Sequence, residues 1–272
     1  MIIGNPDMFP ELQIEDALER MKALGFSGVE ISSPMIDACT TTGLKRQFAN
    51  YVASLDLRLV RLNTAGADYF TPLGHPGEAS RILEALKADI DVAEIFGVEQ
   101  LTTWEGRPHT GVSKVDVNGW VLDATTRLFE QATEYARPRN IHLSIEPHPK
   151  SLGMDVEWLK RLCDRVDQQL LSVTYDCTHF GVGLPDDYVE AARVLGSSIG
   201  HFDFCDSDMD TTDLHLAPGT GNLNLDAIVE ALRTGPFKGT CKLDLYGCLL
   251  PIEGARTGIP TLRSAMDLLG VL

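Results

Sequence analysis

The chain has 272 residues, 44% of them hydrophobic, and carries 39 acidic against 23 basic side chains for a formal net charge of −16. That length supports a sizeable core, and that charge disfavours phosphate backbones and anionic membrane surfaces as partners. No 18-residue apolar run is present, so no transmembrane helix is expected. The N-terminal stretch "MIIGNPDMFPELQ" lacks the basic and apolar regions of a secretory signal, so a cytoplasmic location is expected. Six cysteines (Cys39, Cys163, Cys177, Cys205, Cys241 and Cys248) are scattered without a CxxC pair, the pattern of reduced thiols rather than of a zinc knuckle.

Along the chain, short β-rich runs alternate with helical patterns. A short strand is expected over residues 1–5. The stretch "PELQIEDALERMKALG" follows, with Leu12, Leu18, Met21 and Leu24 on one helical face and Gly25 as its stop. Strand "GVEIS" (28–32) precedes a weaker helix over about 41–54, and strand 57–63 precedes a helix over 78–97 that again ends in Gly. Strand 98–104 leads to a helix over 118–137, strand 141–146 to one over 155–166, and strand 170–176 to one over 186–196. Strand 198–204 with helix 225–235, then strand 239–246 with helix 259–270, complete the series.

The strands are continuously apolar rather than alternating, as expected for strands buried on both faces. Eight strands and eight helices in alternation predict α/β architecture: a single (β/α)8 TIM barrel, one domain spanning residues 1–272. A doubly wound sheet would want a Gly-rich fingerprint after the first strand, and "IIGNPDMF" is not one.

Such barrels carry their sites at the C-terminal ends of the strands. In "SIEPHPKS" two prolines, which donate no ladder hydrogen bond, end strand five and place Glu146 and His148 at its mouth. Asp176 ends strand six, and His179 follows in "YDCTHF". "HFDFCD" holds His201, Asp203 and Asp206, the next loop Asp213 and His215, and strand eight Asp244. A lone strand-end Asp is more often a turn former, and a lone His a satisfied core residue. Converging carboxylates, however, repel one another unless a cation joins them. The set therefore predicts a divalent metal. Its oxygen-rich make-up favours Mn²⁺, Mg²⁺ or Co²⁺, as one ion or two.

These motifs resemble those of the xylose isomerases. "EPHP" is similar to the EPKP motif, "DCTH" to ExxH, and "HFDF…DLH" to HID…DxD, with Asp213 ten and His215 twelve residues after Asp203. "LTTWEGR" resembles the W-G-G-R-E-G stretch after strand four. The motif resemblance covers the second half of the barrel plus Trp104. The chain looks like a short member of the xylose-isomerase-like superfamily, which also holds ketose 3-epimerases, inosose dehydratases, hydroxypyruvate isomerases and an apurinic endonuclease. The resemblance implies one metal on Glu146, Asp176, Asp203 and Asp244. It implies a second on Asp176, His179, Asp213 and His215, and an apolar wall at Trp104.

His148 stands where the family has lysine, which suits a neutral base rather than a fixed cation. The family's ring-opening histidine has no clear counterpart near "RLNTAGADYF", where Asn63 and Asp68 stand, with His75 further on. The expectation is a metal-dependent sugar isomerase that interconverts an aldose and a ketose, by hydride shift with two ions or through an enediolate with one. The alternatives are a keto-sugar 3-epimerase and a dehydratase or lyase acting by β-elimination. Glu146, His148 and Asp244 are the candidate catalytic groups; Trp104, Arg107, His179 and His201 are the candidate substrate contacts. Lys242 is a further anion contact unless it faces outward. "APGTGN" (217–222) reads either as a Gly-rich turn into a helix or as a substrate-phosphate site. The partner expected is a small sugar or keto-sugar, with no nucleic acid and no membrane, in a chain that associates with itself as related barrels do. An endonuclease would need upstream histidine ligands and a basic groove. A metal-free binding or structural subunit with a relict site is the reading from outside enzymology.

Overall fold

The computed structural model describes residues 1–64, 78–107, 111–235 and 237–271. Strands β1 (Ile3–Gly4), β2 (Gly28–Ser32), β3 (Arg58–Asn63), β4 (Gln100–Thr103), β5 (His142–Ile145), β6 (Leu171–Asp176), β7 (Ile199–Phe204) and β8 (Thr240–Leu243) pair in parallel, each with the next. β1 closes onto β8 through Ile3 and Lys242, so the sheet is a closed barrel. Helices α1 (Ile14–Leu24), α2 (Thr42–Ser54), α3 (Glu78–Phe96), α4 (Lys114–Asp116), α5 (Leu122–Ala136), α6 (Val156–Arg165), α7 (Cys177–Gly183), α8 (Tyr188–Leu195), α9 (Leu225–Thr234) and α10 (Pro251–Leu269) surround it. None among the described residues is long and apolar enough to cross a membrane.

The helix boundaries follow local chemistry. α1 stops at Gly25, whose φ of 99° is the left-handed conformation that glycine adopts without strain. Side chains of Thr41, Asp155 and Asn224 accept the first free backbone N–H groups of α2, α6 and α9. Three elements differ from expectation, the first being α4, a short turn just before the helix expected from residue 118. The last helix begins at Pro251, eight residues before the expected Ile259, because Pro251 opens the first turn while Pro260 sits inside the helix. α7 was not expected: it is a single short helix directly after β6, capped by the Asp176 carboxylate.

The strands are buried on both faces, but the two faces differ in chemistry. Outward residues build the layer between barrel and helices. Tyr175 stacks on Phe180 with centroids 4.4 Å apart and donates its hydroxyl to the Tyr188 carbonyl at 2.6 Å. Phe202 packs against Phe204 and Phe237. Inward residues are polar or charged. Ser144 and Thr174 hydroxyls share a hydrogen bond at 2.8 Å. Higher up, Glu30, Arg61, Asp203 and Lys242 form one buried ion cluster where such barrels more often carry branched apolar side chains.

The sheet closes tightly at β7 and β8. A Cβ added to Gly239 would lie 1.9 Å from the Gly200 carbonyl oxygen, a backbone atom that cannot rotate away. Gly239→Ala is expected to lower the unfolding free energy by about 3 kcal/mol, visible as an earlier urea midpoint at unchanged slope.

Candidate metal centre

The C-terminal ends of the strands surround a cavity of ≈ 570 Å³. Glu146 and Asp244 line it from the ends of β5 and β8, Asp176 stands at the end of β6 beside His179 and His215, and all three carboxylates are buried. Glu146 follows β5 and extends its ladder by donating its backbone N–H to the Thr103 carbonyl at 2.9 Å. One of its carboxylate oxygens accepts from Asn63 Nδ2 at 3.3 Å, and the other lies 3.7 Å from His179 Nδ1. Asp176 caps α7: its Oδ1 accepts from the His179 backbone N–H at 2.8 Å. That cap fixes the His179 ring above the same carboxylate.

His215 arrives by a different route. The loop after β7 folds back through a bridge between Asp206 and Leu216, and the His215 backbone N–H donates to the Tyr246 carbonyl at 2.9 Å. Its ring Nδ1 then sits 3.2 Å from Asp244 Oδ1 and 3.7 Å from Asp176 Oδ2. Asp206 organises this loop. Its carboxylate accepts backbone N–H groups from Ser207, Gly219, Gly221 and Leu223 at 2.9–3.1 Å. The amide nest of "APGTGN" is therefore filled by the chain's own carboxylate, and the Gly-rich-turn reading describes it.

Three imidazoles form a row. His148 and His179 centroids are 4.0 Å apart and His179 and His215 centroids 5.3 Å, with Trp104 edge-on to His148 at 4.9 Å. His148 Nδ1 lies 3.1 Å from the Glu146 carbonyl oxygen. A carbonyl only accepts, so Nδ1 carries the proton and Nε2 the lone pair.

The electrostatics follow from burial and neighbours. Burial pushes the Glu146 carboxyl up to about 8, and nearby Asp203 and Asp176 add to this against Lys242. Burial likewise pushes Asp176 up to about 6. Burial holds His148 and His179 well below the usual imidazole range, each helped by a neighbouring histidine. Burial also opposes charge on His215, but Asp176 and Asp244 outweigh it and raise the group. Burial opposes charge on Asp244 too, yet Lys242 and His215 hold it well below the carboxylate range.

These side chains fit a divalent ion. Ligand atoms of Glu146, Asp176 and His179, of Asp176, Cys205 and His215, and of Asp176, Asp203 and Asp244 form three groups, each within 4.8 Å. Asp176 belongs to all three. Asp176 Oδ2, His179 Nδ1 and both ring nitrogens of His215 are buried without a hydrogen-bond partner among the described residues. Orphaned buried polar atoms are costly, and a cation would satisfy Asp176 Oδ2, a His179 ring nitrogen and one of the two His215 ring nitrogens.

Several expected site residues lie elsewhere in the cavity or outside it. Trp104, Arg107, His148 and His179 line the cavity. His201 does not: two residues below Asp203 on β7, it sits about 7 Å deeper. Its Nδ1 meets the Thr240 hydroxyl at 2.6 Å, and it faces the opposite end of the barrel beside His142 and Lys238. Asp213 is exposed at the rim and joins none of the three groups. Asp203 is enclosed by Arg61 and Lys242. Lys242 faces inward and is buried. Asn63 lies at the cavity wall, whereas Asp68 and His75 fall outside the described residues.

Glu30 and Arg61 carry no motif, and Glu105 stands inside "LTTWEGR" without a role assigned to it there. A charge inside each of the apolar runs "GVEIS" and "RLVRLN" was the available signal for the first two. Glu105 is buried behind the wall that carries Trp104 and Arg107, and it accepts the Gly153 backbone N–H at 2.6 Å. It thereby ties the β4 loop to the segment before α6.

Residues 18–265 match the xylose isomerase-like TIM barrel family, and the chain belongs to it. The fold is shared with D-psicose 3-epimerase from Clostridium cellulolyticum H10, solved with D-tagatose: 13% identity, TM-score 0.79, covering 98% of this chain and 99% of that one. It is shared with an L-ribulose 3-epimerase at 15% identity and TM-score 0.77, over 99% and 95% of the two chains. An IolI protein with a bound zinc atom gives 18% identity and TM-score 0.74, over 99% and 98%. At these identities the likeness is one of fold. No curated protein resembles the chain closely enough in sequence to count as a relative.

Two outcomes are expected. Asp176→Asn removes the charged ligand common to all three groups, so the melting-temperature rise produced by Mn²⁺ in the parent chain should vanish. Burial raises Glu105 from the ordinary 4.5 to about 7 in the folded chain. Between those values the folded state holds a proton that the unfolded state has released. Stability from this group is therefore complete below about pH 4.5 and falls as pH rises towards 7, by about 3 kcal/mol. Urea unfolding at pH 4.5 and pH 7.5 should show a correspondingly smaller loss in Glu105→Gln.

Proposed function

We propose that the chain is a divalent-metal-dependent sugar isomerase/epimerase that moves a proton on the carbon beside a substrate carbonyl. The observation that carries this reading is the row of orphaned ligand atoms on Asp176, His179 and His215. His179 and His215 line the cavity together with Glu146, His148 and Asp244, and Asp176 lies against both of those histidines. Glu146, Asp176, His179 and His215 are the residues that would hold the ion. When bound, a divalent ion supplies Lewis acidity towards the oxygens of a hydroxycarbonyl. Two imidazoles in the set favour Mn²⁺, Co²⁺ or Zn²⁺ over Mg²⁺.

Proton carriers stand on well-separated walls. Glu146 and His148 follow β5, and Asp244 follows β8, three strands further round the barrel. Epimerisation takes a proton from one face of a carbon and returns one to the other. Isomerisation through an enediolate moves a proton between neighbouring carbons. His148 is suited to either as a base, because its Nδ1–H is held by the Glu146 carbonyl and its Nε2 lone pair remains on a neutral ring. Asp244 remains an anion beside Lys242 and suits the opposite wall. Trp104 and the His148 ring form an edge-to-face wall that keeps water from the reacting carbon.

Asp213 at the exposed rim supports the one-ion, proton-transfer route over a two-ion hydride shift. The amide nest filled by Asp206 supports an unphosphorylated sugar. The epimerases that share the fold support the epimerisation branch.

Incubating the Mn²⁺-loaded protein with ketoses and aldoses in D₂O tests this reading. Deuterium should enter the carbon beside the carbonyl, as read by NMR. Turnover with no deuterium incorporated would instead indicate a hydride shift and contradict the proposal. His148→Gln should lower kcat by about 100-fold or more while leaving the metal bound.

A further inference from the structure

The interior of the barrel divides by charge. Glu30 and Asp203 face Arg61 and Lys242, two anions with two cations, and every one of these groups is buried. Lys242 Nζ donates to Glu30 at 2.6 Å, to Asp203 at 2.7 Å and to Asp244 at 2.9 Å, which uses all three of its protons. Arg61 Nη2 meets both oxygens of Asp203 at 2.8 and 3.0 Å. Both Asp203 oxygens are thus taken by fixed cations. Asp244 gives Oδ2 to Lys242 and Oδ1 to the Tyr246 backbone N–H at 3.0 Å, with His215 beside it.

Above this neutral layer stand the carboxyl groups of Glu146, Asp176 and Asp244, with histidines and the same Lys242 beside them. The orphaned ligand atoms all lie in this upper layer, on Asp176, His179 and His215. Drawing Asp203 onto an ion would bring a dication against Arg61 and Lys242, where little water screens the repulsion.

We propose that Lys242 is a built-in cation that, with Arg61, withdraws Asp203 and the facing oxygen of Asp244 from metal coordination and confines the ion to Glu146, Asp176, His179 and His215. This rests on the metal-dependent reading above. Lys242 in this role is a positioning residue, and its effect is to exchange carboxylate ligands for imidazoles.

The first arm of the test uses the unsubstituted full chain loaded with Zn²⁺ and X-ray absorption at the zinc edge. The expected spectrum contains scattering from two imidazole rings. Affinity measured by competition with a chromophoric chelator should fall by about 100-fold or more in His179→Ala and in His215→Ala, and stay within about threefold in Asp203→Asn. Lys242→Met should raise affinity at least ~10-fold and make it sensitive to a second substitution at Asp203. A spectrum without imidazole, or a loss of about 100-fold in Asp203→Asn, would overturn the assignment while leaving a metal enzyme. No zinc bound by the parent chain would overturn both this assignment and the metal-dependent reading.

Discussion

A carboxylate is costly to bury as an anion unless a cation or several hydrogen bonds face it, and this barrel gathers five around its axis: Glu30, Glu146, Asp176, Asp203 and Asp244. Arg61 and Lys242 account for two of those charges. The remainder fall at the C-terminal mouth, where the strands end and the backbone can present several side chains to one point. Much of the local architecture answers to that excess. Asp176 is tied down as the cap of α7, His215 is delivered by the Asp206 loop, and Lys242 reaches up to Asp244. The buried atoms that stay without a partner mark where the fold expects a further positive charge.

The surrounding structure keeps this group rigid. Prolines follow Glu146, the Asp206 carboxylate clamps four backbone N–H groups, and Glu105 joins the wall bearing Trp104 to the segment before α6. Apart from the prolines, which adjoin the cavity and His179, these contacts lie around the ion site rather than in it. Their contribution is preorganisation: the ligand side chains are held close together by bonds that form on folding. The cost is strong mutual repulsion and raised acid groups, which a protein of ordinary marginal stability carries only where function requires it.

Much of this was legible in the sequence. The eight strand–helix units could be counted because strands buried on both faces read as continuous apolar runs, and Glu146, Asp176 and Asp244 stood out as charges at their ends. What was not legible was depth and direction inside the barrel. His201 and Asp203 have the same strand parity, yet two residues of rise separate the floor from the mouth. Asp203 matched a ligand motif, but its pairing with Arg61 spans 142 positions and no local pattern announces it. Lys242 could be read as facing either way until β8 was placed against β1. Asp213 kept the family spacing after Asp203 and still lies in an exposed turn, because spacing along a loop does not fix its height. The early start of α10 was hidden because Pro260 marks a helix start more often than a helix interior.

The central claim is that the uncompensated charge at the mouth is a site for one divalent ion. Calorimetric titration of the chelator-stripped chain with Mn²⁺ tests it most directly. The account predicts saturation at one ion per chain. Saturation at two, or no heat of binding at all, would contradict it.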